Sequence, residues 1–144
     1  MFEHILIPTD GSDAARSAAK TGIELAVDQG ATVHVLSVVK PIHSDEGGIE
    51  QAIESMRAAR ERTVAELAEL AEAEGLVTTS DVTVGVPVRK ILEYIETNDI
   101  DLVVMGTHGR TGVSRFLIGS VTEKVVRLSE IPVLTIYTGS KGKN

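Results

Sequence analysis

Short runs of apolar, mostly β-branched residues alternate with longer amphipathic stretches along the whole chain, and that alternation restricts the fold more than any other feature. Ile5-Leu6-Ile7, Thr32 to Val39, Thr78 to Val84, Asp101 to Met105 and Val133 to Tyr137 read as strands. Between them lie stretches with apolar residues at helical spacing. Ser12 is placed to cap the first, which uses Ala15, Ala18, Ala19, Ile23 and Ala26 and stops at Gly30. Ile49 to Glu74 forms the second, Pro87 to Thr97 the third and Ser120 to Leu128 the fourth. The order βαβαβαβαβ, without repeat or linker, predicts a single-domain parallel sheet with helices on both faces. Right-handed crossovers make it doubly wound, and such sheets bind ligands beyond the carboxyl ends of their strands, where strand order reverses. Residues 1–138 are the expected domain and residues 139–144 a polar tail.

Composition removes several function classes. The 144 residues carry a net charge of −7, which suits polyanion binding poorly, so no nucleic-acid partner is expected. Aromatic residues make up 3%, too few for a base-stacking platform. There is no cysteine, which excludes disulfides, thiol catalysis and cysteine-held zinc. The first apolar run gives way at once to Pro8-Thr9-Asp10, so neither a signal peptide nor a membrane span is expected, and the chain reads as cytoplasmic. The acid-rich helix 49–74 reads as a solvated face, and any protein partner is unknown.

The chemistry concentrates in one segment. Gly106, Gly109, Gly112 and Gly119 fall in or next to a loop that runs into Ser120, and the segment from Gly106 to Arg127 holds Arg110, Arg115, Lys124 and Arg127 against Glu123 alone. There is no Walker A motif and no G-x-G-x-x-G turn, yet the parts of a phosphate site are present. Glycines let backbone N–H groups turn toward an anion, and a helix N-terminus favours negative charge. Ser120-Val121-Thr122-Glu123 also fits a capping box, in which Ser120 is only a cap. Asp10, at a strand end, suits a ribose hydroxyl, a base or a metal, or simply a turn with Gly11; Asp13 suits the first turn of the first helix. His4, His34 and His43 read as surface residues, whereas His108 within the loop is placed to meet a phosphate. No Ser/His/Asp triad assembles, and no lysine follows the fourth or fifth strand where a receiver-type phospho-acceptor would need one.

The loop spells Gly106-x2-Gly109-x9-Gly119-Ser120. This resembles the ATP-binding signature of the universal stress protein family, G-x2-G-x9-G followed by Ser or Thr. Ile5 to Ser12 resembles the family's first strand and ligand loop, Val84-Gly85-Val86-Pro87 its turn before the third helix, and Ile131-Pro132-Val133-Leu134 its last strand. The resemblance implies a five-stranded parallel sheet of order 3-2-1-4-5, similar to the adenine nucleotide alpha hydrolases. It implies ATP, or ADP or AMP, as ligand, with Mg²⁺ between phosphates. Pro8, Thr9 and Asp10 would line the adenine and ribose, and Val38 would contact adenine. Met105, Gly106, Gly109 and Arg110 would wrap ribose and phosphates, and Gly119, Ser120, Val121 and Thr122 would hold phosphates. It also implies a homodimer through Val133 to Tyr137. The expected role is a nucleotide-dependent regulatory module in stress response; the alternative is a slow ATPase or self-phosphorylating enzyme using the same pocket.

Overall fold

The computed structural model describes residues 1–42, 47–108 and 118–137. The elements run β1 (His4–Pro8), α1 (Asp13–Gln29), β2 (Thr32–Val39), α2 (Ile49–Ala73), β3 (Thr78–Val84), α3 (Pro87–Thr97), β4 (Leu102–Gly106), α4 (Ser120–Leu128) and β5 (Val133–Ile136). The strands form one five-stranded sheet in the order β3-β2-β1-β4-β5, and every pairing is parallel. Fold class, strand order and element sequence match the expectation, with boundaries moved by one or two residues at several ends.

Period-two alternation along the buried strands makes two cores. Ile5, Ile7, Val33, Val35 and Val104 face α1 and α2, where Ala19, Ile23, Val64 and Leu67 meet them. Leu6, Leu36, Val38, Val103 and Met105 face α3 and α4, against Ile91, Ile95 and Val125. The alanine face of α1 lets that helix lie close to the sheet. Its tightest point is Gly22, where an added Cβ would stand 2.9 Å from Ile7 Cδ1 and 3.3 Å from Val104 Cβ.

Local chemistry ends the elements where the sequence places the breaks. Ser12 Oγ accepts from the Ala15 N–H at 3.1 Å, and Gly30 closes α1 in the left-handed region at φ 67°. Pro87 occupies the first turn of α3. The Asp101 carboxylate accepts the N–H groups of Glu3 and His4 at 2.8 and 3.0 Å, which locks the start of β1 beside β4.

His34 corrects the surface reading. It is 6% exposed, on the α3 side of β2. Its Nε2 lies 3.1 Å from His4 Nδ1, and its Nδ1 lies 2.8 Å from the Tyr94 hydroxyl and 3.2 Å from Thr79 Oγ1. Burial, with the neighbouring His4 as a second cause, lowers its pKa. His4 is half-buried and His43 lies outside the described residues.

Candidate functional site

At the carboxyl ends of β1, β2 and β4 the sheet opens into a cavity of about 290 Å³. That is near the lower end of the roughly 300–1,000 Å³ common for small-molecule sites. The strand order reverses at β1, so neighbouring connections leave toward opposite faces and open a crevice between them.

Each wall has a local cause. On the β1 side, Pro8, Thr9 and Asp10 line the cavity. Thr9 Oγ1 accepts from the Gly11 N–H at 3.1 Å and Asp10 Oδ1 accepts from the Ser12 N–H at 3.0 Å. Asp10 therefore makes the short-range turn as well as lining the cavity, and Gly11 supplies the φ of 83° that the turn needs.

The β4 side contributes Met105, Gly106 and His108. An added Cβ at Gly106 would stand 3.2 Å from the Ala14 carbonyl oxygen, so glycine lets β4 end against the first turn of α1. The Gly119 N–H donates to the Thr107 carbonyl at 2.7 Å, and the buried Thr122 hydroxyl donates to the Gly106 carbonyl at 2.8 Å. These two bonds bring the start of α4 to the end of β4, so Gly119, Ser120, Val121 and Thr122 also line the cavity.

The capping box is not made. Gly119 is the N-cap residue of α4 and Ser120 is already helical; no side chain among the described residues caps the helix. Glu123 instead pairs with Arg127, Oε2 to Nε at 3.0 Å, and this contact lowers the Glu123 pKa. The first turn of α4 thus stands at a wall of the cavity with no side-chain acceptor for its amides among the described residues, and a helix start favours an anionic group.

The apolar part of the lining comes from Leu36 and Val38 on β2, Met56 on α2, and Pro87 and Ile91 on α3, with Ala15 on α1. Lys40 and Arg60 add positive charge on the β2 side. Arg60 Nη1 donates to Ser37 Oγ at 2.8 Å and to the Val38 carbonyl at 3.2 Å, while the Ser37 hydroxyl donates to the Thr9 carbonyl at 2.7 Å.

Every described residue of the sequence-predicted set lines this one cavity; Gly109 and Arg110 lie outside the described residues. The basic segment divides. Lys124 and Arg127 are exposed and do not line the cavity, and Arg127 is held by Glu123. Sequence reasoning missed Ala15, Leu36, Lys40, Met56, Arg60, Pro87 and Ile91. Leu36 was reachable, since it lies two residues before Val38 and shares its face. Arg60 had no local signal, because it sits in the acid-rich α2. Among the described residues no cluster of three or more His, Asp or Glu could hold a metal ion. No helix among them is long and apolar enough to cross a membrane.

The sequence model of the universal stress protein family matches residues 1–136. The chain belongs to the universal stress protein family. A universal stress protein of Methanocaldococcus jannaschii is 36% identical to it over 98% of this chain and 85% of its own length. Among solved structures, the universal stress protein UspA of Lactobacillus plantarum superposes with a TM-score of 0.86 at 24% identity, covering 94% of this chain and 97% of that one. The universal stress protein of Archaeoglobus fulgidus in complex with dAMP superposes with a TM-score of 0.66 at 22% identity, covering 94% and 98%. Both of these structural likenesses concern the fold.

Proposed function

We propose that this universal stress protein binds an adenine nucleotide in the cavity and acts as a nucleotide-dependent regulatory module. The observation that carries the reading is the N-terminus of α4, tied to the end of β4 at one wall of a cavity whose apolar floor comes from β2 and α3. The helix start suits phosphate, and the floor suits a planar base in a chain without tryptophan. The dAMP complex of the Archaeoglobus fulgidus protein, which shares the fold, is in keeping with a ligand of this class. Pro8, Thr9, Asp10, Val38 and Met105 are assigned to base and ribose. Gly106, His108 and Gly119 to Thr122, with Gly109 and Arg110, are assigned to ribose and phosphates. Mg²⁺ would bind mainly through phosphate oxygens and water, as this ion commonly does.

We place the domain at residues 1–138 and propose that the protein pairs through β5. This strand is the sheet edge beyond β4, and Leu134 on it is 39% exposed. A second copy would cover an apolar edge that is otherwise prone to uncontrolled pairing.

The Thr122 hydroxyl donates to the Gly106 carbonyl and is poorly placed as a nucleophile, which speaks against self-phosphorylation at that residue.

Calorimetric titration of refolded, nucleotide-free protein with ATP, ADP, AMP and GTP, with and without Mg²⁺, tests the reading. Micromolar binding that Ser120→Ala weakens supports it, and phosphate release measured in parallel separates switch from slow enzyme. Absence of binding to every nucleotide refutes it.

A further inference from the structure

Tyr94 ties α3 to the sheet. Its hydroxyl lies 2.8 Å from His34 Nδ1 and 3.4 Å from Thr79 Oγ1. Among the described residues no other side chain of α3 hydrogen-bonds to the sheet: Thr97 bonds to the Glu93 carbonyl and Lys90 pairs with Glu93, all on the helix itself. The rest of the hold is apolar, through Ile91 and Ile95. The polar cluster continues across the sheet, where His34 Nε2 meets His4 Nδ1 at 3.1 Å. It therefore joins β1, β2, β3 and α3.

The chemistry of the two imidazoles sets how many protons this cluster holds. A neutral imidazole has one N–H and one bare nitrogen, and an imidazolium has two N–H groups and no acceptor. With both rings neutral, one donates to the other across the 3.1 Å contact, and the Tyr94 hydroxyl donates to His34 Nδ1 or accepts from it as the tautomer requires. With one proton added to His34, that ring donates to His4 Nδ1 and to the Tyr94 oxygen, and every bond survives. With both rings protonated, two N–H groups oppose each other at the same contact, and two cations touch where His34 is buried. The remaining neighbours are Thr79 on β3, which does not titrate, and Asp101 before β4, whose carboxylate accepts the Glu3 and His4 N–H groups. Glu93, next to Tyr94 on α3, is paired with Lys90 at 3.8 Å.

We infer that His4, His34 and Tyr94 form a pH-sensitive latch on α3, closed while the two imidazoles hold one added proton or none and opened when both are protonated. The closed state binds fewer protons than the open one, so falling pH favours opening. Burial of His34 opposes its cation and acts in the same direction. Because Pro87 and Ile91 of the same helix line the cavity, the latch holds one of its walls. The device needs no ligand and stands apart from the nucleotide reading.

The test is hydrogen exchange of the full-length, ligand-free protein, read at α3 by mass spectrometry and corrected for the intrinsic pH dependence of exchange. Wild type, His4→Asn and Tyr94→Phe are compared from pH 8 to about pH 5, where an unhindered imidazole is almost fully charged and most carboxylates remain so. In wild type the opening of α3 should rise about 3- to 10-fold over this range, the weight of one net hydrogen bond, while α1 stays protected. His4→Asn sets an amide where Nδ1 stood; it donates or accepts at any pH and brings no second cation, so the acid response of α3 should disappear. Tyr94→Phe cuts the tie, so α3 should already be open at pH 8 to the degree that wild type reaches in acid.

Proton NMR of the His4 and His34 ring signals in wild type gives a second readout that needs no variant. The two rings should titrate in separated steps, the later one together with the opening of α3. An undiminished acid response in His4→Asn overturns the inference, and so does an α3 that stays closed after both rings have titrated. Equal opening of α1 and α3 would be general unfolding and overturns it as well. If Tyr94→Phe does not fold, His4→Asn and the NMR titration decide the matter. A protein that binds no nucleotide would refute the proposed site and leave this latch untouched.

Discussion

The Thr122 hydroxyl donates to the Gly106 carbonyl at 2.8 Å, and both residues are buried. Together with the Gly119 N–H bond to the Thr107 carbonyl, it joins the start of α4 to the end of β4. The cavity depends on it, because it sets the first turn of α4 beside the strand ends. Thr122→Val keeps the shape and removes the donor. It should lower stability by about 1–3 kcal/mol, the cost of leaving a buried acceptor unpaired. Thr122→Ser should recover most of the loss. Urea midpoints of the three proteins decide the matter, and equal midpoints would deny the bond its role.

Gly22 tests the packing of α1. A Cβ there would press on Ile7 and Val104, both buried. Gly22→Ala gains up to about 1 kcal/mol of helix propensity but overpacks the core at about 1–3 kcal/mol. A net loss of stability is expected by thermal unfolding, with nucleotide affinity of the folded protein unchanged. A stabilised variant would show that Ile7 moves aside at no cost.

His34 gives a pH dependence with a definite sign. Its folded pKa lies below the ordinary 6.5, because burial and His4 oppose the cation. The unfolded chain therefore takes up a proton first as pH falls. The stability contributed by neutral His34 is present above 6.5 and is lost as pH falls from there through the lower folded value. Urea midpoints measured from pH 8 to pH 5 should fall more steeply for wild type than for His34→Leu. Parallel slopes would place the proton uptake elsewhere.

The proposed pairing through β5 is tested at Leu134, 39% exposed on the edge strand. Leu134→Lys puts like charges near the two-fold axis and should weaken dimerisation by at least about tenfold. Sedimentation velocity across a concentration series reads this directly. A variant that dimerises as well as wild type would move the interface off this strand.

Strand and helix positions were legible because each is decided over a few residues. Ile5-Leu6-Ile7 is apolar on both faces, so it belongs in a covered parallel sheet; Ser12, Gly30 and Pro87 punctuate helices through their own backbone chemistry. Gly106 and Gly119 marked the β4–α4 wall of the cavity for the same local reason. Other features depended on which distant segments meet. His34 has the sequence context of a strand residue, and only the arrival of Tyr94, Thr79 and His4 makes it a buried, hydrogen-bonded group. Ser120 fits a capping box in sequence, but the bond from Gly119 to Thr107 moves the cap by one residue. Arg60 belongs by sequence to an acid-rich helix face, and the crossing of α2 over the end of β2 turns it into a cavity wall. The sequence determined the elements, their order and the glycine-bearing half of the site, since propensity, capping and periodicity act within a turn or two of chain. Tertiary structure alone decided the β2 half, because hydrogen bonds between residues 23 positions apart, such as Arg60 to Ser37, leave no periodic trace in either segment.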